Sequence, residues 1–556
     1  MKVHLHVQFI ICLLLFFCFG FSNTETFAQS DSLVRQCTNN PDRSWWDVIR
    51  YQLAVDFTDT TNDTIRGLNI ISARVGRQAR PVMQIDLDTP MHIEKVLFRG
   101  RALNWTKEGS AYLLNLKGND ERPLAPGDTF SVKIYFSGRP QDAQNAPWDG
   151  GFVRRHDSAG HLWWAVACQG QGASLWFPCK NFQGDEPDSG VTEHYTILPG
   201  LTAIGNGRLS GKNEARNGAT TFSWQVVNPI NNYDITFYIG DYEHWADTFQ
   251  GQKGKLDLDY YVLRKNFVKA HRQFQQVKTM LSCFESHFGP YPFYKDGYKL
   301  VEAPYLGMEH QSAVAYGNHF YEGYLGKDRS ATGVGLLFDF IIVHESAHEW
   351  FGNSITSFDK ADEWIHEGFA SYAETVYAEC IAGKEKAFEY QQGKRRTIRN
   401  DKPVEGRQGQ CDEGSSDAYD KAGFMIHTVR MIMNNDTAFF DMLKAMNQKY
   451  EHRLVTGKQI ESFISSYAHM DFTKMFDQYL RQAKLPVLAL KKQPGGTLTY
   501  YWKDCVPGFD MPVYWLDGIK KNWLYPTTTP QTTQAKDLKN AGQLSKDFLI
   551  NVDWRK

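Results

Sequence analysis

Two histidines four residues apart, with a glutamate directly after the first, form the motif best suited to chemistry in this sequence. The segment HESAH contains His344, Glu345 and His348. Residues four apart lie on one helix face with Cβ atoms about 5 to 6 Å apart, so both imidazoles can bind one cation. Glu345 is rotated by about 100° around the helix, so it can reach a water molecule on that cation without being a ligand. The motif therefore predicts a metal site with a separate general base.

A third ligand is predicted from the segment WIHEGFASYAE, in which Glu367 follows His348 after 18 intervening residues. Two helices joined by a short connection would place this carboxylate beside the two imidazoles. Two histidines and one glutamate leave a fourth position for water, which is typical of a catalytic zinc. A buried ion pair is the alternative for such a carboxylate, but all three positions agree with a metal. We therefore predict one Zn²⁺ per chain, held by His344, His348 and Glu367.

The surroundings of these residues resemble the aminopeptidase N and leukotriene-A hydrolase family of zinc aminopeptidases, which are gluzincins with the pattern HExxH-x18-E. Three further segments match this family. YLGMEH at 305–310 is similar to its GxMEN exopeptidase motif. ACQG at 167–170, followed by WFPC at 176–179, resembles its substrate-binding strand, and YDKAG at 419–423 resembles its YxKG segment. The resemblance runs from about residue 45 to the C-terminus.

The resemblance implies a zinc-dependent aminopeptidase that hydrolyses the N-terminal peptide bond of peptides with a free N-terminus. Zinc lowers the pKa of a bound water from 15.7 to about 7. Glu345 is then the base that takes a proton from this water and delivers it to the leaving amine. Together with zinc, the hydroxyl of Tyr419 stabilises the oxyanion. The substrate-binding residues implied by the family are Gln169, Gly307, Met308 and Glu309, of which Glu309 and Gln169 bind the free α-amine.

Two positions depart from the family pattern. His310 stands where the exopeptidase motif usually has asparagine, and His366 replaces the asparagine that commonly precedes the third ligand. Both replacements change groups close to the predicted ligands and to the substrate backbone.

Residue patterns around the motifs divide the chain into domains. Alternating strand patterns, as in YQLAVDF at 51–57 and SVKIYF at 131–136, predict an all-β domain over residues 40–245. The family resemblance implies that this domain has a saddle-like β-sheet.

A mainly helical catalytic domain is predicted over residues 246–485. Apolar residues recur at helical spacing over 264–287 and 332–351, and helix signals continue to about residue 484. The resemblance implies a thermolysin-like fold for this domain.

Strand patterns return after Pro486, at 497–502 and 513–515, and predict a small β domain over residues 486–556 that is β-sandwich-like. The threonine-rich stretch 527–533 is predicted to be an exposed loop. The fold class is thus a multidomain α+β protein.

The N-terminal segment 1–28 is predicted to be a signal peptide. Lys2 precedes the apolar run FIICLLLFFCFGF, and a small residue, Ala28, ends a possible cleavage site. The run is shorter than the roughly 20 residues that a membrane-spanning helix needs. We therefore expect an exported protein, periplasmic or secreted, with no integral membrane segment after signal removal.

Charge and cysteine content set further bounds. The 61 Lys and Arg nearly balance the 63 Asp and Glu, so the net charge of -2 gives no reason to expect nucleic acid as a partner. The basic cluster at 394–399 is predicted to lie on a solvated helix face. A disulfide between Cys168 and Cys179 is one possibility, and burial of both as free thiols is the other.

Two other functions remain open. A zinc endopeptidase would use the same metal ligands without recognising an α-amine, and a catalytically silent binding protein could be built on the same scaffold. The intact ligands His344, His348 and Glu367, together with Glu345, favour an enzyme over the silent protein.

Overall fold

The N-terminal part of the chain is built from strands. The computed structural model describes residues 38–117, 122–535 and 537–555, so the predicted signal peptide lies outside the described residues. A short helix, α1 (Pro41–Ser44), precedes the first strand. The strands that follow are β1 (Trp46–Asp56), β2 (Ile65–Val75), β3 (Val82–Asp86), β4 (His92–Phe98), β5 (Arg101–Ala102), β6 (Trp105–Glu108), β7 (Ala111–Asn115), β8 (Thr129–Gly138), β9 (Gly151–His156), β10 (Leu162–Ala167), β11 (Val191–Ile197), β12 (Thr202–Ile204), β13 (Arg208–Glu214), β14 (Thr220–Gln225) and β15 (Tyr238–Gly240).

These strands form three sheets. The largest has eight strands in the order β13-β14-β11-β1-β2-β8-β4-β5, and the others have the orders β12-β15-β10-β9 and β3-β7-β6. Buried and exposed residues alternate along most of β8, as expected for a strand with one face in a core. The strands predicted at 51–57 and 131–136 lie almost wholly within β1 and β8. Strand β10 ends at Ala167, which leaves Gln169 in the turn that follows it.

A mixed five-stranded sheet begins the next part of the chain, in the order β16-β17-β18-β20-β19. Its strands are β16 (Tyr242–Gly251), β17 (Gly254–Leu263), β18 (Tyr298–Glu302), β19 (Gly307–Met308) and β20 (Val314–Tyr316). Strand β19 is at the edge and pairs antiparallel with β20. A two-stranded parallel sheet of β21 (Ile355–Ser357) and β22 (Arg453–Val455) follows.

Helices make up most of the remainder of this part. They are α2 (Phe267–Gln273), α3 (Gln276–Phe288), α4 (Phe340–Ala347), α5 (Trp364–Ala382), α6 (Lys384–Gly393), α7 (Asp420–Met433), α8 (Asp436–Tyr450), α9 (Gly457–Ala468) and α10 (Thr473–Arg481). A sheet-rich N-terminal domain is thus followed by a mainly helical one, as predicted, whereas the boundaries at residues 245 and 485 remain predictions.

Helix α4 is much shorter than the helical spacing over 332–351 predicted. Gly333 has a left-handed φ of 85° and is followed by a single 3₁₀ turn. The helix begins only at Phe340, where the Asp339 side chain accepts hydrogen bonds from the backbone N–H groups of Ile341 and Ile342. Apolar spacing alone did not locate this start, because the residues before the cap are also apolar.

The C-terminal part returns to strands. They are β23 (Val487–Lys492), β24 (Thr497–Lys503), β25 (Val513–Asp517), β26 (Lys520–Leu524), β27 (Gln531–Gln534) and β28 (Asn551–Arg555). Four form a sheet in the order β27-β24-β23-β28, and β25 pairs with β26. The loop prediction for 527–533 is wrong at its end, because Thr532 and Thr533 pair with β24.

Two further expectations are settled by packing. Cys168 and Cys179 are buried and free, so they form no disulfide with each other, whereas Cys283 in α3 and Cys380 in α5 are bonded. Lys394 is fully buried, so the predicted solvated face does not exist at this residue.

No helix in the described ranges is long and apolar enough to cross a membrane.

Candidate metal and catalytic site

The first two predicted ligands come from one short, fully buried helix. His344 lies inside α4, and His348 is the residue that ends it, with φ and ψ of -62° and -21° still in the helical region. The four-residue spacing therefore keeps both imidazoles on one face. The Nε2 atoms of the two rings are 3.3 Å apart.

Glu367 completes the set from the first turn of α5. Its Oε2 lies 3.3 Å from Nε2 of His344 and 3.5 Å from Nε2 of His348. Zinc bonds of about 2.0 to 2.1 Å in a tetrahedron separate neighbouring ligand atoms by about 3.3 to 3.4 Å. Glu367 Oε2 is also buried without a hydrogen-bond partner among the described residues. The donor set and its spacing therefore fit Zn²⁺.

The second ring nitrogen of each histidine has its own partner. Nδ1 of His344 donates to Oε1 of Glu374 at 2.9 Å, and Nδ1 of His348 donates to the carbonyl oxygen of Phe351 at 3.0 Å. These bonds fix the tautomer in which Nε2 is the free acceptor, as a metal ligand requires.

Glu374 is itself held by buried donors. Its Oε2 accepts from the hydroxyl of Tyr390 at 2.7 Å and from Nζ of Lys394 at 3.0 Å. Despite burial, the ammonium of Lys394 and the imidazole of His344 lower the pKa of Glu374 to about 2. Glu374 is thus ionised and orients His344. One signal in the sequence could have identified it, since Glu374 follows Glu367 by two helical turns on the same face.

Glu345 lies close to the ligands but contributes no atom to the set of three. Oxygen and nitrogen atoms of Glu345, Glu309 and His348 lie within 4.8 Å of one another. Burial raises the pKa of Glu345 to about 7, against the lowering effect of the two histidines. Such a carboxyl exchanges protons near neutral pH, as a general base must.

Gly307 leaves the space that Glu345 occupies. A Cβ atom at this position would lie 2.5 Å from Oε1 of Glu345 and 2.9 Å from Cγ2 of Ile341. Any side chain at residue 307 would therefore displace the carboxylate. Met308, by contrast, is buried in the core of the N-terminal domain and is not among the described residues that line the metal cavity.

Glu309 and Gln169 are brought together although 140 residues separate them. The Nε2 atom of Gln169 lies 3.3 Å from Oε1 of Glu309 and 3.2 Å from Oε1 of Glu367. Glu309 is buried, and burial and the nearby Glu367 raise its pKa. The pair thus presents an acidic and an amide group beside the metal ligands.

Tyr419 stands at the start of α7. Its ring is stacked on that of His344, with centroids 5.8 Å apart and planes 16° from parallel. Burial and the carboxylate of Glu367 raise the pKa of Tyr419 well above its ordinary value, so its hydroxyl keeps its proton and can donate.

The predicted site residues other than Met308 line one cavity of about 460 Å³. Its described walls include the three predicted ligands, Glu345, Tyr419, Gln169, Gly307 and Glu309. The arrangement combines a candidate metal site, a base, a hydroxyl donor and an acidic group in one cavity, which is suited to hydrolysis of a polar bond.

The two histidines that depart from the family pattern are buried and neutral. Nδ1 of His310 lies 2.7 Å from the hydroxyl of Tyr238, and Nε2 of His366 accepts from the backbone N–H of Ser357 at 2.8 Å. Burial lowers the pKa of each imidazole to about 3. Neither adds a positive charge beside the metal ligands.

Residues 272–479 match the family described as Peptidase family M1 domain. The chain contains a peptidase family M1 domain. This match confirms the resemblance inferred from the motifs, and the M1 domain includes all three predicted metal ligands.

Relatives extend the likeness beyond the M1 domain. The chain is 22% identical over 379 residues to endoplasmic reticulum aminopeptidase 1 of Mus musculus, covering 65% of this chain and 39% of that protein. It is 27% identical over 225 residues to aminopeptidase B of Rattus norvegicus, covering 39% of this chain and 31% of that protein. The chain therefore spans about two fifths or less of the length of these relatives.

Among solved structures, the chain is similar to the M1 zinc metallopeptidase of Deinococcus radiodurans with a bound Tyr-Ser-Ala substrate. The TM-score is 0.67 at 19% identity, and the match covers 80% of this chain and 96% of that one. At this identity the likeness shows a common fold.

Proposed function

We propose that this protein is a zinc aminopeptidase that removes residues from the free N-terminus of peptides. The observation that carries the proposal is the convergence of His344, His348 and Glu367 at 3.3 to 3.5 Å, a spacing that fits tetrahedral zinc. The M1 domain and the aminopeptidase relatives support the same function.

The chemistry divides between metal and protein. Zinc held by the three ligands would lower the pKa of a bound water and polarise the scissile carbonyl. Glu345 takes the proton of the attacking water and returns it to the leaving amine. The protonated hydroxyl of Tyr419 donates to the oxygen on which negative charge develops. Gln169 and Glu309 bind the α-amine, which fixes the first peptide bond against the metal.

The test compares three substrates. These are alanine 7-amido-4-methylcoumarin, its N-acetylated form and an internally quenched peptide that is blocked at its N-terminus. We expect hydrolysis of the first alone, its loss with a zinc chelator and its return with added Zn²⁺. Efficient cleavage of the blocked substrates would favour the endopeptidase instead.

Variants separate the remaining alternatives. Glu345→Gln should retain zinc and lose hydrolysis, and Glu309→Ala should weaken selection of the free amine. A purified protein that contains no zinc and binds peptides without cleaving them would support the silent binding protein.

We also propose that the protein is exported, to the periplasm or the medium. The residues before Gln29 have the pattern of a signal peptide. The disulfide between Cys283 and Cys380 supports an oxidising compartment. Fractionation of cells that express the full chain, with N-terminal sequencing of the mature protein, tests export, and an uncleaved protein in the cytoplasm would contradict it.

A further inference from the structure

We infer that a second cavity beside the metal site binds the side chain of the substrate's N-terminal residue and selects arginine and lysine. The cavity has a volume of about 490 Å³. This inference rests on the proposed function, because it names the substrate class of the same enzyme.

The second cavity adjoins the amine-binding groups. Gln169 is in the walls of both cavities. A substrate's α-carbon carries the amine, the carbonyl and the side chain in three different directions. If the carbonyl faces the metal ligands and the amine lies between Gln169 and Glu309, the side chain is left to enter the space on the other side of Gln169.

The walls of this cavity contain more acidic than basic side chains. Four acidic residues, Asp88, Asp359, Glu363 and Glu413, line the cavity together with one basic residue, Lys360. Nζ of Lys360 already donates to the carbonyl oxygen of Gly170.

Two of these carboxylates have donors of their own. Asp359 accepts from the backbone N–H groups of Ala361 and Gly409, and Asp88 accepts from the hydroxyl of Ser174. These two carboxylates are therefore held in the cavity wall by hydrogen bonds from the protein itself.

Glu363 has no such partner. Its side chain is 13% exposed, and it makes no hydrogen bond to the described residues; Nδ1 of His366 lies 3.6 Å away, which is too far. Burial and the neighbouring acidic groups raise the pKa of Glu363 well above its ordinary value, against the opposing effect of Lys360. A cationic ligand would supply the missing hydrogen-bond donor and favour the ionised carboxylate.

Glu363 is well placed for this role. It immediately precedes α5 and stands four residues before the ligand Glu367, which is about 6 Å along the helix axis. Its carboxylate is thus one helical turn from the metal set. A side chain leaving the α-carbon beside Glu367 would run along this helix towards Glu363.

Two further wall residues have polar atoms without partners. Tyr233 and Asn232 line the cavity, and the hydroxyl of Tyr233 and Oδ1 of Asn232 are buried with no hydrogen-bond partner among the described residues. A guanidinium has five N–H donors in a planar fork and an ammonium has three, so arginine offers more donors to the polar groups around Glu363 than lysine does.

The experiment measures selectivity rather than activity alone. The wild-type protein and Glu363→Gln are assayed with arginine, lysine, leucine, alanine and glutamate 7-amido-4-methylcoumarins. We expect kcat/KM for arginine and lysine to exceed that for leucine at least tenfold. In Glu363→Gln the ratio of kcat/KM for the arginine substrate to kcat/KM for the leucine substrate should fall at least tenfold, mainly through a higher KM for arginine. Glu389→Gln, at an exposed site in α6, is the matched control and should keep the wild-type ratio.

A second measurement needs no variant. Free L-arginine and L-leucine are compared as inhibitors of alanine 7-amido-4-methylcoumarin hydrolysis by the wild-type protein, and arginine should inhibit at least ten times more strongly. Equal inhibition, or preference for leucine or glutamate substrates, would overturn the inference and leave the aminopeptidase in place. If no aminoacyl substrate is cleaved, the proposed function itself fails.

Discussion

Replacing Glu374 by glutamine would perturb the metal site while leaving the three predicted metal ligands in place. One oxygen of Glu374 accepts from Nδ1 of His344 at 2.9 Å, and the other accepts from Tyr390 and Lys394 at 2.7 and 3.0 Å. A glutamine has one acceptor oxygen and one NH₂ group, so a donor would face another donor on one side. The substitution also leaves Lys394 without its nearest counter-charge.

The expected magnitudes follow from burial. Both side chains of the Glu374–Lys394 pair are 0% exposed, and removing one partner of such a pair costs about 3 to 5 kcal/mol. Asp420 remains 3.4 Å from Lys394, which favours the lower end of this range. The lost partner of His344 should weaken zinc binding by about 10- to 100-fold, equivalent to about 1.4 to 2.7 kcal/mol.

Two assays check these values. Denaturant unfolding of the metal-free proteins gives the loss of stability, and competition with a chromophoric chelator gives zinc affinity. Glu389→Gln serves as the surface control, because exposed ion pairs contribute under about 1 kcal/mol. Lys394→Met and the double variant complete a cycle in which the two single losses should sum to more than the double loss. Wild-type stability and zinc affinity in Glu374→Gln would refute the role assigned to this carboxylate.

Four further predictions address the catalytic domain. Gly307→Ala should lower kcat/KM by at least about 100-fold with zinc content unchanged, because its Cβ would lie 2.5 Å from Oε1 of Glu345. The control is Gly211→Ala, which should have wild-type kinetics because its Cβ would approach Ser223 only to 3.8 Å. Glu345→Gln should lower kcat by about 10² to 10⁴ in steady-state assays while metal analysis still finds zinc, and unchanged turnover would remove Glu345 as the base. Chelation should lower the midpoint of thermal unfolding, and restoring Zn²⁺ to 100 times its Kd should return about 2.7 kcal/mol of stability; a midpoint insensitive to zinc would contradict the site. Replacing Cys283 and Cys380 by alanine should cost about 2 to 5 kcal/mol in denaturant unfolding, and an unaltered unfolding curve would refute the contribution of this bond.

The proximity of the two histidines could be predicted because their geometry is local. A spacing of four residues in a helix places His344 and His348 together wherever the helix lies in the fold. Even so, the apolar pattern did not locate the start of α4, which Asp339 sets through its side-chain hydrogen bonds.

Contacts between distant segments were harder to predict. Gln169 lies 198 residues from Glu367 in sequence, so only the family resemblance brought it into the site. Lys394 belongs to a run of basic residues, which indicated a solvated face, but its ammonium is buried against Glu374. A sequence does not reveal that a charged side chain is buried when its partner of opposite charge lies in a different element of the fold.

The two helix ends that carry the predicted metal ligands have opposite electrostatic polarity. Helix α4 ends at His348, so the C-terminal end of its dipole places a partial negative charge near that residue. Helix α5 begins at Trp364, so the N-terminal end of its dipole places a partial positive charge near the carboxylate of Glu367. A divalent ion would thus be attracted by the peptide dipoles of one helix, while those of the other keep its anionic ligand deprotonated. Metal retention in acid should therefore depend on where these helices stop and start as well as on the three side chains.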